Sequence, residues 1–116
     1  MREIKFRGLR VHTEHHDNSW KFGNLLNEGS IGEVGIGLES YVYAEVIPET
    51  VGQFTGLKDK NGVEIYEGDI VKWKWVNVNI KEFIFTDGSF HPNGWHHSKS
   101  FEYEVIGNRY ENPELV

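Results

Sequence analysis

Cysteine is absent from the 116 residues. That excludes disulfides, thiolate metal sites and a cysteine nucleophile, and it fits a reducing compartment. Apolar residues are scarce, at 38% of the chain, and the mean hydropathy is −0.53. No apolar run approaches the roughly 18 residues that span a membrane. The segment from Met1 to Arg7 has basic residues but no apolar stretch behind them, so no signal peptide is expected and a cytoplasmic location is. Cations are also in deficit. Twelve Lys and Arg against 18 Asp and Glu give a net charge of −6, the wrong sign for a general duplex-DNA binder, whose affinity rests on clustered cations.

What is present points elsewhere. Aromatics reach 14%, with seven Phe, five Tyr and four Trp, so the core must be built from a few large rings. The length fits one domain over residues 1–116. Ile4 and Phe6 alternate with Glu3, Lys5 and Arg7, the pattern of a half-buried strand. Gly8 breaks it, and Leu9 to His12 resume after a bend. The polar stretch 13–19 reads as a hairpin tip, and Trp20-Lys21-Phe22 as the returning strand. Gly23, Gly29, Gly32, Gly35 and Gly37 crowd residues 23–40, which read as a flexible loop with at most a short strand at 33–36. Residues 41–47 favour a strand that ends at Pro48.

The densest signals lie between Gly52 and Trp75. Asn61-Gly62 and Glu67-Gly68-Asp69 mark two turns. After the second turn, Val71, Trp73 and Trp75 alternate with Lys72 and Lys74, which predicts a strand with a core face and a solvent face. Val76, Val78 and Ile80 take the opposite parity, so a bulge, turn or change of face is expected near Val76. Asp87-Gly88 is a further turn, and Phe101, Tyr103 and Val105 outline a final strand. Asn112-Pro113-Glu114 carries a helix-start signature, which allows at most one helical turn at the C-terminus. The fold class is therefore mainly β, a small barrel-like or two-sheet antiparallel domain of roughly seven to nine short strands.

Three segments together resemble the YopX family, small proteins of phages and prophages. They are Arg2-Glu3-Ile4-Lys5-Phe6-Arg7, the run from Gln53 through Gly56 and Gly62 to Val71, and Glu104 to Leu115 with Gly107-Asn108 and Asn112-Pro113. The resemblance implies a mainly β fold around a small barrel-like core, self-association and a bacterial-host cytoplasm. It carries over no catalytic residues and no cofactor. Residues 10–40 and 76–100 contribute little to it.

Candidate chemistry is thin. Asp69 follows Gly68 and is best read as bonding turn amides. Asp59, Glu64, Glu67 and Asp69 could gather round a cation but lack the spacing of a known calcium loop. His12, His15 and His16 form one cluster, and His91, His96 and His97 another, each on an expected loop; together they could supply nitrogen ligands for a metal-dependent hydrolase. Adjacent side chains diverge on an extended chain, however, so exposed loop histidines are the preferred reading. Trp95, with His96 and His97, is a candidate interface, because no alternation buries it. Lys58, Lys60, Lys72 and Lys74 are the candidate contacts for single-stranded nucleic acid. No nucleophile elbow, phosphate loop or zinc spacing occurs. The expected function is a non-enzymatic module that forms homo-oligomers and binds a phage or host protein, with no metal, no cofactor and no membrane partner. A nucleic-acid-associated module is the second reading.

Overall fold

The structure, a computed structural model, describes residues 5–10, 20–26, 35–39, 42–75, 77–86, 89–94 and 102–116. Among them lie ten strands: β1 (Phe6–Leu9), β2 (Trp20–Leu26), β3 (Gly35–Glu39), β4 (Val42–Glu45), β5 (Gly52–Lys58), β6 (Glu64–Tyr66), β7 (Asp69–Trp75), β8 (Asn77–Thr86), β9 (Ser89–Pro92) and β10 (Glu104–Asn108). Two 3₁₀ turns, Pro48–Thr50 and Pro113–Leu115, are the helical elements among the described residues. No helix there is long and apolar enough to cross a membrane.

The strands form two antiparallel sheets, ordered β4-β3-β2-β1-β5-β6 and β10-β7-β8-β9. Neither order returns to its first strand, so the two-sheet expectation holds and the closed barrel does not. The edges show why. β9 has four residues and ends at Pro92, which has no N–H to extend a ladder. At β10 the Val105 amide is already taken by the Asp59 side chain. Blocked edges end sheets that would otherwise keep pairing. The chain divides into two compact units, residues 1–54 and 55–116.

In the first unit, β1 and β2 form the expected hairpin, with Phe6 opposite Gly23 and Leu9 opposite Trp20; residues 13–19 lie outside the described residues. The Arg7 guanidinium stacks 4.7 Å from the Trp20 ring. The loop expected over 23–40 is partly strand. Asn24 pairs with Gly37 and Leu26 with Gly35, because a backbone held in a ladder on both sides overrides the poor propensity of glycine. Gly8 likewise sits inside β1 rather than ending it. A Cβ there would fall 2.8 Å from the Val46 side chain, so Gly8 marks a close approach and not a bend. Thr50 locks the same corner: its hydroxyl accepts from the Leu9 amide at 2.8 Å and donates to the Ile47 carbonyl at 2.6 Å.

In the second unit, Ile65, Val71, Trp73, Phe83 and Tyr103 form the core, with Phe90 and Val105 packed against it. Tyr103 meets Trp73 and Phe83 edge-on, at centroid distances of 5.3 and 5.5 Å, the favoured geometry for ring quadrupoles. β7 and β8 pair from Ile70–Glu82 to Trp75–Asn77. The parity change at Val76 is therefore the reversal between two strands of one hairpin; Val76 itself lies outside the described residues.

Replacing Gly8 by Ala should lower stability by about 1–3 kcal/mol, the usual range for overpacking. The loss should shrink in a Val46→Ala background, giving non-additivity above about 0.5 kcal/mol in a double-mutant cycle by urea unfolding. Purely additive losses would show that Val46 is not what the new methyl meets.

Candidate functional site

Residues 58–63 reverse the chain between β5 and β6 by a device centred on Asp59. Its Oδ1 accepts the Asn61 and Val63 amides at 2.8 and 2.9 Å. Its Oδ2 accepts the Val105 amide at 3.0 Å. Gly62 closes the turn at φ +82°, open to glycine at no steric cost. The next amide, Lys60, donates to the Tyr103 carbonyl at 2.8 Å. One turn is thereby tied to the start of β10, and the Lys60 side chain is delivered to the solvent face of the four-stranded sheet.

On that face β7 presents Lys72 and Lys74, both exposed, while Trp73 between them is 3% exposed and faces the core. Glu104 of β10 stands opposite Lys72. Together with Lys60, Trp73, Val78 and Glu102, these residues line a groove of about 480 Å³. Its electrostatics are uneven. Glu104 Oε1 lies 3.4 Å from Lys72 Nζ and 3.8 Å from Lys60 Nζ. Lys74 has no ion pair among the described residues. Val78, on the groove wall, is 62% exposed. The described lining residues thus combine cations, carboxylates and one exposed apolar side chain.

Of the four lysines singled out from sequence, Lys60, Lys72 and Lys74 converge here, and Lys58 is exposed outside the groove. Trp95, His96, His97, His12, His15 and His16 lie outside the described residues. His91 corrects an expectation: it is in β9, not a loop, and is buried. Its Nδ1–H donates to the Pro92 carbonyl at 2.9 Å, which leaves Nε2 facing the Thr86 hydroxyl at 2.7 Å. Ligation of a metal would break one of these bonds. Among the described residues no three His, Asp or Glu side chains gather as metal ligands. Asp69 bonds the turn as expected, accepting the Tyr66 amide at 2.7 Å. Asn112 precedes the final 3₁₀ turn, yet its side chain does not cap it; Oδ1 instead accepts the Asn108 amide at 3.2 Å.

Sequence reasoning missed Glu102, Glu104 and Val78. Alternation with Tyr103 and Val105 puts Glu104 on the opposite face of its strand, but only the strand order brings it beside Lys72.

Burial alone would raise the Asp59 pKa; the Val105, Val63 and Asn61 amides and the Lys60 ammonium outweigh it and hold the carboxyl below its ordinary value. A depressed folded-state pKa adds stability that is complete above the unfolded value of about 4 and is lost as pH falls through the folded value. Asp59→Asn should therefore cost about 2 kcal/mol at neutral pH, since all three amides lose a charged acceptor and one of them meets an NH2 group that cannot accept. Its stability should also fall less steeply than the parent's below about pH 4. Urea titrations across that range would assign the acid limb to other carboxyls if the two proteins fell in parallel.

The comparisons with known proteins fit this geometry. The crystal structure of protein EF1440 from Enterococcus faecalis is similar, with a TM-score of 0.58 and 27% identity, over 99% of each chain. No curated protein matches the sequence. The sequence matches the family described as YopX protein over residues 10–116, a span that takes in the turns at Asp59 and Asp69, the groove and the Asn108–Asn112 ending, and leaves the opening Arg2–Arg7 segment outside. The chain belongs to the YopX family.

Proposed function

We propose that the chain is a non-enzymatic interaction module, of phage or prophage origin and acting in the bacterial cytoplasm, that self-associates and binds another protein through the groove on its four-stranded sheet. The observation that carries this reading is the lining of the groove. Lysines and glutamates share the groove with an exposed valine, the mix of charged and apolar contacts that protein-binding surfaces use.

A single-stranded nucleic-acid reading draws on the same Lys60, Lys72 and Lys74. It is weaker because Trp73, at 3% exposure, offers no face for base stacking.

A photocross-linking amino acid at position 78 should yield a discrete protein adduct in host extract, whereas the same group at Leu57, exposed on β5, should not. Light scattering should give a mass above that of one chain. A strict monomer with matching cross-link patterns from both positions would overturn the proposal.

A further inference from the structure

We infer that the groove is a receptor for an acidic segment of the partner, in which carboxylates alternate with neutral or apolar residues. This rests on the protein-binding reading above and goes beyond it by naming the chemistry of the occupant.

A carboxylate already sits in the clamp. Glu104 Oε1 lies within ion-pair distance of both Lys60 and Lys72. Two ammonium groups from different parts of the chain, a turn and β7, thus converge on one oxygen. Lys60 is set there by the backbone, through its amide bond to Tyr103 and the Asp59 network behind it. Lys74 is the third cation at the same groove. It faces the same side as Lys72 two residues along β7, and no carboxylate meets it among the described residues. Among the described lining residues lysines thus exceed acids by three to two, although the whole chain carries −6.

Spacing gives the pattern. Residues two apart on a strand lie about 6.8 Å apart on one face. An extended segment with carboxylates at alternate positions would repeat at the period of Lys72 and Lys74. Val78, 62% exposed, is apolar surface for a neutral residue between them. The volume, about 480 Å³, is within the range of about 300–1,000 Å³ typical of ligand pockets, so it suits a few side chains rather than a folded domain. Nucleic acid fits less well, since the one ring among the described lining residues, Trp73, is 3% exposed and presents no face for stacking.

The groove therefore holds an internal competitor. Glu104 occupies part of the site that an incoming carboxylate would take. Removing its charge should strengthen binding of an acidic segment, whereas a merely structural Glu104 would give no such gain.

The test uses the full chain and a short fluorescein-labelled peptide with glutamate at alternate positions, followed by anisotropy. Its glutamine counterpart and an oligothymidylate of equal charge serve as controls. The acidic peptide should bind at low salt and weaken as the Debye length contracts, between about 0.01 and 0.15 M salt. Lys72→Glu and Lys74→Glu should each weaken it about ten-fold or more, and Lys58→Glu less than about two-fold. Glu104→Gln should tighten it about three-fold, with the folded state of each variant checked by circular dichroism. No binding at low salt, equal binding of the glutamine peptide or the oligonucleotide, an equal loss from Lys58→Glu, or weaker binding by a folded Glu104→Gln would each overturn the inference. If the peptide fails while position 78 still cross-links to a protein, the occupant is wrong and the protein-binding role stands; if both fail, both are wrong.

Discussion

The carboxylate of Asp59 is the constraint on which the second unit depends. One side chain accepts three backbone amides, two within its own turn and one from β10. Each amide would otherwise need water or a ladder partner, because a buried N–H left alone costs about 1–3 kcal/mol. The turn is shaped by the first two bonds and positioned by the third. With the turn in place, the Lys60 amide reaches the Tyr103 carbonyl, and Tyr103 is held edge-on between Trp73 and Phe83. Core packing and groove geometry thus share one anchor. The same bond covers the Val105 amide, which would otherwise present an open donor at the end of the sheet.

The C-terminal segment shows a second use of polar side chains in place of regular structure. Asn108 Oδ1 accepts the Tyr110 and Glu111 amides at 3.1 and 2.9 Å. Asn112 returns its Oδ1 to the Asn108 amide. A Cβ on Gly107 would lie 2.5 Å from that same oxygen, so the glycine makes room for the asparagine. Gly107, Asn108 and Asn112, which in sequence look like a family ending, are one hydrogen-bonded closure.

Local rules were legible where one strand and its turn decide the outcome. The alternation from Asp69 to Trp75, the positive-φ turns at Gly62 and Gly68, and the stop at Pro48 were all readable, because each depends on neighbours within a few residues. What escaped was tertiary. Gly8 looked like a breaker, since nothing in sequence shows Val46 against it. Residues 23–26 and 37–39 looked like loop, since ladder bonds are invisible until the partner strand is known. His91 looked like a loop histidine, since its Thr86 partner lies across a hairpin. Three groove lysines were chosen for their charge; the glutamates beside them came only with the strand order. Asp59 was noted as an acid near a turn, and its third acceptor bond could not be foreseen from a partner 46 positions away.

That separation has a consequence for the order in which the chain becomes a working surface. The β7–β8 hairpin joins near neighbours and can close as soon as its residues exist, whereas a contact across a long loop must first meet its closure entropy. During synthesis, Asp59 emerges well before Val105. Until the ribosome releases residues 103–105, the turn lacks its third bond, Trp73 lacks the Tyr103 ring, and Lys72 lacks Glu104. The groove is therefore incomplete until β10 is present, and a chain halted short of β10 lacks the Glu104 counter-charge to Lys60 and Lys72.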